Sequence, residues 1–257
     1  MTAEHTAANR AAWDRMAGTY QHIIDAAPSD GYEWGWWRIP DTDIGALGAL
    51  DGLRVLDLGC GAGQGTRRLA AMGAAVTVGI DLSRVQLSHA APGADVALVQ
   101  ADAEHLPFHA ESFDLVISNW GAMSFANSDS AIPEAARVLR PGGRLIVCTA
   151  SPMYWLATDD TTEQPSSTLK RSTFDLDRWP GASGTVRFQR SHAGWIKIFH
   201  RNGLRVDDLH EPPAPRSAVI PDHLDQQVWR DWITRWPFDA VWIAVKHPTD
   251  AHDAAAQ

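Results

Sequence analysis

Three glycines at alternate positions, Gly59, Gly61 and Gly63, follow an aliphatic run at 54–58 that carries one carboxylate, Asp57. A glycine-rich turn after a strand lets a ligand approach the main chain closely, and the helix that follows offers unpaired N–H groups to an anionic group. The spacing excludes two phosphate-binding loops. GxGxxG needs a glycine three residues after its second, but Gly61 is followed there by Gln64 and Gly63 by Thr66. GxxxxGK[ST] needs a lysine, and none occurs between Arg54 and Lys170. Other polar residues end later apolar runs: Asp81 in 79–83, Asp102 in 101–104, and Asn119-Trp120-Gly121 after 113–118. In an open α/β sheet ligands bind outside the carboxyl ends of the strands, so these residues should meet along one edge.

The stretch Val55-Leu56-Asp57-Leu58-Gly59-Cys60-Gly61-Ala62-Gly63 resembles motif I of the class I S-adenosylmethionine-dependent methyltransferases, of the Rossmann-like type that acts on small molecules. Four ordered matches extend the resemblance over about 100 residues. They are Gly79-Ile80-Asp81-Leu82-Ser83, Ala101-Asp102-Ala103-Glu104, Phe113-Asp114-Leu115-Val116-Ile117-Ser118-Asn119, and Glu134 to Leu145 with its Leu139-Arg140-Pro141-Gly142-Gly143 core.

The resemblance implies S-adenosyl-L-methionine as cofactor, S-adenosyl-L-homocysteine as product, and a role for each match. Gly59, Cys60, Gly61 and Gly63 form the turn that admits the methionine moiety, with Asp57 beneath its amino group. Asp81 accepts both ribose hydroxyls, a task suited to an acceptor-only carboxylate. Leu82 flanks the adenine, Asp102 accepts from its amino group, and the Ala103 backbone N–H meets a ring nitrogen. Asn119 and Trp120 leave the fourth strand near the sulfonium. Trp13 and Tyr20 are candidates to close the pocket, where an aromatic face gains cation–π attraction of about 1–2 kcal/mol when desolvated. No general base is assigned; Trp120, Asn119 and His22 are candidates for positioning the acceptor, and His192 and His200 lie in zones that could reach the pocket.

These residues need a parallel sheet to gather them. Strands are predicted at 54–58, 75–80, 96–100, 113–118 and 144–149, alternating with helical stretches. One of these helices has Asp129 or Ser130 as cap, Pro133 in its first turn, and its stop at Pro141-Gly142-Gly143. A helix is predicted at 7–16, a loop at 27–31, a short helix after Pro40, a strand-like run at 185–190 and a helix at 195–201. Two C-terminal strands, 204–209 and 240–246, suggest an antiparallel edge pair. The expectation is an α/β fold: a doubly wound, seven-stranded, mostly parallel sheet with an antiparallel edge strand, plus N-terminal helices and an insertion after the fifth strand forming a cap. The chain divides into an N-terminal helical and aromatic segment at 1–50 and a cofactor-binding core at 51–150. Residues 151–248 supply the cap insertion and the strands that complete the domain, and 249–257 form a frayed tail.

Composition narrows the partners. The 22 Lys+Arg against 31 Asp+Glu leave a net charge of −9, which opposes general attraction to nucleic acid. Cys60 and Cys148 make no disulfide framework or metal-ligand spacing, and Cys60 reads as a small filler of the loop. His105 and His109 flank Pro107 and read as solvated loop residues, so no metal is expected. The start of the chain lacks a basic and apolar leader and no membrane span is evident, so the expectation is a soluble, cytoplasmic protein, monomer or homodimer, acting on a small molecule. Of 12 tryptophans only Trp120 falls within 51–150. Trp229, Trp232 and Trp236 read as one helix face, while Trp34, Trp36 and Trp37 beside Gly35 cannot all share a buried face. Two rival readings stand beside methyl transfer: an NAD-dependent oxidoreductase, which the failed GxGxxG opposes, and a methyltransferase fold that binds the cofactor without methylating.

Overall fold

The computed structural model describes residues 4–25, 31–91, 96–159, 162, 164–181, 183–222 and 224–248. Most of the expected loop at 27–31 and the expected tail at 249–257 lie outside them. One seven-stranded sheet dominates. Its strands are β1 (Arg54–Leu58), β2 (Val76–Asp81), β3 (Ala97–Gln100), β4 (Phe113–Asn119), β5 (Leu139–Ala150), β6 (Leu204–His210) and β7 (Asp239–Lys246). Their spatial order is β6-β7-β5-β4-β1-β2-β3. The first five run parallel, and β7 runs against both β5 and β6, so the antiparallel pair closes one side of the sheet.

The period of two sets the two core layers. Val55, Leu115, Ile117 and Ile146 point to one face, where they meet Trp34, Leu47 and Leu69. Their neighbours Leu56, Val116, Leu145 and Val147 point to the other, against Ala135, Trp195 and Phe199. Covered on both faces, the central strands are continuous apolar runs. The helices are α1 (Glu4–Asp25), α2 (Asp41–Ile44), α3 (Gln64–Ala71), α4 (Arg84–Ser88), α5 (Ser128–Val138), α6 (Pro152–Ala157), α7 (His192–Arg201) and α8 (Gln226–Ile233). Among the described residues no helix is long and apolar enough to cross a membrane.

Several local expectations shift. The first helix runs on to Asp25 rather than stopping at residue 16, and Gln21 in its second half bonds Gln86 of α4 and Gln64 of α3. Asn127, not Asp129 or Ser130, caps α5, its side chain accepting from Asp129 N–H. Pro133 therefore sits in the second turn. The helix ends at Val138 with Leu139 already extended, and Pro141-Gly142-Gly143 falls within β5, where the pairing with β4 shifts register. Of the run 185–190 only Val186–Arg187 forms a strand, paired with Trp179–Pro180. Asn9 of α1 takes up both the N–H and the C=O of Val186, which closes that edge to further pairing. Trp236 lies past the end of α8.

Candidate active site

The turn after β1 is stitched to β2. Gly59 and Cys60 both donate their N–H to the Ile80 carbonyl, at 2.8 and 2.9 Å, and Gly63 N–H returns to the Cys60 carbonyl. Gly61 N–H donates to Asp81 Oδ2 at 2.9 Å and Ser83 N–H to Asp81 Oδ1 at 2.8 Å, so the Asp81 carboxylate is fixed in orientation at the end of β2. Burial raises its pKa despite these donors. Asp57 is buried below the turn and accepts from Thr66 Oγ1 of α3 at 2.8 Å. Its pKa is pushed up to about 6, because burial outweighs the Thr66 hydrogen bond and Asp81 adds repulsion.

Glycine is required where the loops after β1 and β4 cross. Gly59 has φ +79°, and a Cβ there would collide with the main chain of Gly121 and Ala122. A Cβ on Gly121 would in turn strike the Leu58 carbonyl oxygen. Two backbones thus touch without side chains between them and form the floor of a cleft.

The cleft holds about 670 Å³ of empty space, open solvent at its mouth included. At one end Ile80, Leu82, Ala101 and Ala103 supply apolar wall beside Asp81 and Asp102. At the other stand Trp120, Gly121, Ala122 and Phe125. Thr6, Asn9, Trp13 and Tyr20 of α1 form the roof, with Trp13 edge-on to both Tyr20 and Phe125. That roof is clasped along its length. His5 Nε2 lies 2.6 Å from Glu104 Oε1, Ser83 Oγ donates to Asp14 at 2.5 Å, and Gln21 bridges Gln86 and Gln64 at 2.6 Å each.

Trp120 has φ +50°, a left-handed conformation that a bulky side chain adopts only under constraint. Its N–H donates to the Cys148 carbonyl at 2.8 Å, its indole Nε1–H to Asp239 Oδ1 at 2.5 Å, and its ring stacks on Phe238. Asp239 is fully buried and also accepts from Trp36 N–H at 3.1 Å. Burial outweighs these donors and pushes its pKa up to about 7.

Of the residues singled out from sequence, Trp13, Tyr20, Gly59, Gly61, Asp81, Leu82, Asp102, Ala103 and Trp120 line the cleft. Asp57, Cys60, Gly63 and Asn119 stand behind that wall. Burial raises the Cys60 thiol far above its usual range, and Gly63 packs against Leu98. The Asn119 amide donates to Glu33 O at 2.7 Å and accepts from Gly35 N–H at 3.0 Å, tying down the short hairpin of Glu33–Trp34 and Ile39–Pro40. The histidines need correction. His22 is exposed on the last turn of α1, His200 is exposed on α7, and His192 lies 3.1 Å from Glu211 with its ring near Trp242. None of the three lines the cleft. Among the described residues no cluster of His, Cys, Asp and Glu is arranged to hold a metal. No local pattern marks Asn9, Gln86, Phe125 and Asp239, because each acquires its place from contacts distant in sequence.

Residues 56–147 match the family described as "Methyltransferase domain". The chain is 39% identical over 211 residues to a demethylmenaquinone methyltransferase of Clavibacter sepedonicus, covering 71% of this chain and 84% of that protein. A mycobacterial protein of the same name aligns at 46% over 139 residues, 58% of its own length. In fold the chain is similar to an S-adenosylmethionine-dependent methyltransferase from Mesorhizobium loti, with TM-score 0.63 at 22% identity over 79% of this chain and 95% of that one. It is also similar to the [4+2]-cyclase SpnF, with TM-score 0.65 at 20% identity over 93% and 95%. The sequence relatives displace the dehydrogenase alternative. The chain belongs to the class I S-adenosylmethionine-dependent methyltransferases, and S-adenosylmethionine is its cofactor.

Proposed function

We propose that this chain methylates an N, O or C atom of a small, planar, unsaturated acceptor that meets the cofactor between Trp120 and Phe125. The observation that carries this reading is the cleft itself: a fixed carboxylate, Asp81, at one end, bare backbone at Gly59 and Gly121, and aromatic side chains at the other end. The name of the relatives, demethylmenaquinone methyltransferase, supports a ring-bearing acceptor.

The cofactor would sit with its ribose hydroxyls on Asp81, its adenine between Ile80 and Leu82 beside Asp102 and the Ala103 N–H, and its methionine moiety over Gly59 and Gly61. Asp57, through its place under the turn, favours a positive amino group above it. Trp13 and Tyr20 close the roof and exclude water. When bound, S-adenosylmethionine supplies a methyl group on a sulfonium, which departs as neutral S-adenosylhomocysteine. What remains for the protein is to hold the acceptor atom in line, about 3–3.5 Å from that carbon, and let any acceptor proton leave to solvent.

Calorimetric and thermal-shift titrations with S-adenosylmethionine, S-adenosylhomocysteine and NAD test the cofactor assignment. At 100-fold its Kd the true ligand stabilises by about 2.7 kcal/mol, and Asp81→Ala should remove most of that gain. An unchanged shift in Asp81→Ala refutes the ribose assignment. The cyclase with a similar fold makes a second reading worth separating: release of S-adenosylhomocysteine with a labelled methyl group on the acceptor supports methylation, and acceptor turnover without label supports the other chemistry.

A further inference from the structure

Four contacts hold Trp120. Its main chain, left-handed at φ +50°, donates to the Cys148 carbonyl, its indole Nε1–H donates to Asp239 Oδ1, Phe238 stacks on the ring with the planes 9° apart, and the Trp36 ring lies 5.6 Å away. Asp239 does more than meet the indole. The same oxygen takes the Trp36 N–H, and Gly35, at φ +73°, has no room for a Cβ beside the carboxyl, so the turn of the hairpin packs directly against it. The neighbours of Trp120 are fixed as well: Asn119 bonds Glu33 and Gly35 of that hairpin, and Gly121 crosses Gly59 in the glycine turn.

A fully buried carboxyl is a costly way to fill space. A hydrocarbon side chain of similar volume would pack there without the desolvation penalty. What the carboxyl adds is direction: an indole N–H is a single donor, and a fixed acceptor sets the tilt of the whole ring. Strained backbone of the kind seen at Trp120 gathers where a side chain must be held in one place. That place is the cleft, because the half-buried Trp120 lines it while Asp239 lies behind. In S-adenosylmethionine the sulfur joins the ribose to the methionine chain. With the ribose on Asp81 and the chain over Gly59 and Gly61, the sulfonium falls between them, next to the crossing of Gly59 and Gly121 and so next to Trp120.

We propose that Asp239 is a positioning residue for methyl transfer, holding the Trp120 indole beside the sulfonium. The proposal rests on the ribose of the cofactor lying on Asp81. Calorimetric titration of the full chain with S-adenosylmethionine and S-adenosylhomocysteine tests it, since the two differ by a methyl group and its positive charge. Trp120→Leu should shift the ratio of the two affinities against S-adenosylmethionine roughly 3- to 30-fold, the worth of an indole beside a desolvated cation. Asp239→Leu should shift it the same way, and Asp239→Asn, which keeps the acceptor oxygen, should restore most of the loss. The double variant Asp239→Leu/Trp120→Leu should be no worse than Trp120→Leu alone, as expected when one residue acts through the other. A residue that merely supports the fold would lower both affinities together and leave the ratio in place. In ¹⁵N-tryptophan NMR the indole signal missing from Trp120→Phe belongs to Trp120; it should move upfield in Asp239→Leu. If Asp239→Leu does not fold, Trp120→Phe, which keeps a ring without the N–H, should give the same shift in the ratio. An unmoved ratio in Trp120→Leu or Asp239→Leu, effects that multiply in the double variant, an indole signal indifferent to Asp239→Leu, or Asp239→Asn behaving like Asp239→Leu overturns the proposal. Asp81→Ala with undiminished affinity for S-adenosylhomocysteine overturns the cofactor placement as well, so the two failures are told apart.

Discussion

Replacing Asp239 by asparagine should stabilise the protein above neutral pH. The carboxyl is fully buried at the start of β7; its Oδ1 accepts from Trp36 and Trp120, while Oδ2 has no hydrogen-bond partner. Gly35 lies so close that a Cβ there would sit 2.5 Å from Oδ2, which leaves no room for water on that side. Burial wins over the donors and the pKa rises to about 7. The same carboxyl titrates near 3.9 in the unfolded chain. Between those values the folded state keeps a proton that the unfolded state has released, so this contribution to stability is complete below about pH 4 and is lost as pH climbs through 7. The rise from about 3.9 to about 7 corresponds to about 4 kcal/mol. Asparagine keeps an oxygen for Trp36 and Trp120 and cannot ionise. Its buried amide finds no acceptor where Oδ2 stood, a pH-independent penalty of about 1–3 kcal/mol that moves the whole curve and not its slope. Cys148, whose thiol faces Asp239, is held neutral by burial and adds no titration here. Urea unfolding of both proteins from pH 4.5 to 8.5 gives the difference directly. It should grow in favour of Asp239→Asn by up to about 4 kcal/mol and level off above pH 7. A flat difference, or one that turns against asparagine as pH rises, would show that the donors hold the carboxylate charged and that the burial argument is wrong.

Gly121→Ala probes the crossing of the two loops, because an added Cβ would strike the Leu58 carbonyl oxygen and the Gly59 main chain, and φ −96° with ψ −133° lies outside the regions alanine favours. We expect a loss of about 1–3 kcal/mol in denaturant unfolding and a tenfold or greater rise in the Kd for S-adenosylhomocysteine; unaltered calorimetry would refute the close approach as the cleft floor. Thr66→Val removes the hydroxyl donor of Asp57 and should raise its pKa above about 6, so the pH below which S-adenosylhomocysteine affinity falls should move upward. An unmoved half-point would mean that Asp57 does not act through its charge. Gln21→Ala breaks the bridge to Gln86 and Gln64 and should speed amide exchange in the last turns of α1 and accelerate cofactor release; exchange as slow as in the unaltered chain would show that the bridge does not hold the roof.

The parallel half of the sheet was legible because strands buried on both faces are apolar runs, and because turn residues announce their own geometry. Asp81 and Asp102 were legible for the same reason: a polar residue that ends such a run has one edge to occupy. The roof was half legible. Thr6, Asn9, Trp13 and Tyr20 recur at 3, 4 and 7 residues, one face of a helix, but this is visible only if the helix continues past residue 16. On the same wheel His22 lies about 200° from Tyr20, since each residue turns about 100°, and this puts its side chain in solvent. Its chemistry suggested a site that its position denies. Asp239 shows the opposite failure. Nothing in Phe238-Asp239-Ala240 marks a functional carboxyl, and its partner Trp36 is 203 residues away. Only closure of the sheet, with β7 inserted between β5 and β6, brings the two together.

The roof helix joins two sites that the motifs treat separately. Ser83, which donates to Asp14, is two residues from Asp81; Glu104, which meets His5, is two residues from Asp102. The loops that would hold the cofactor therefore hold the roof as well, and a ligand that orders those loops strengthens the clasp. Farther along, Asn9 ties the same helix to the Phe125 carbonyl and to Val186, the neighbour of Arg187. Opening α1 to admit the cofactor must also loosen the strand Val186–Arg187 and the Phe125 turn. By linkage, whatever factor the cofactor gains from a bound acceptor, the acceptor gains from the cofactor. The aromatic end of the cleft at Phe125 is thus complete only when the roof is shut, and binding of the cofactor should come first.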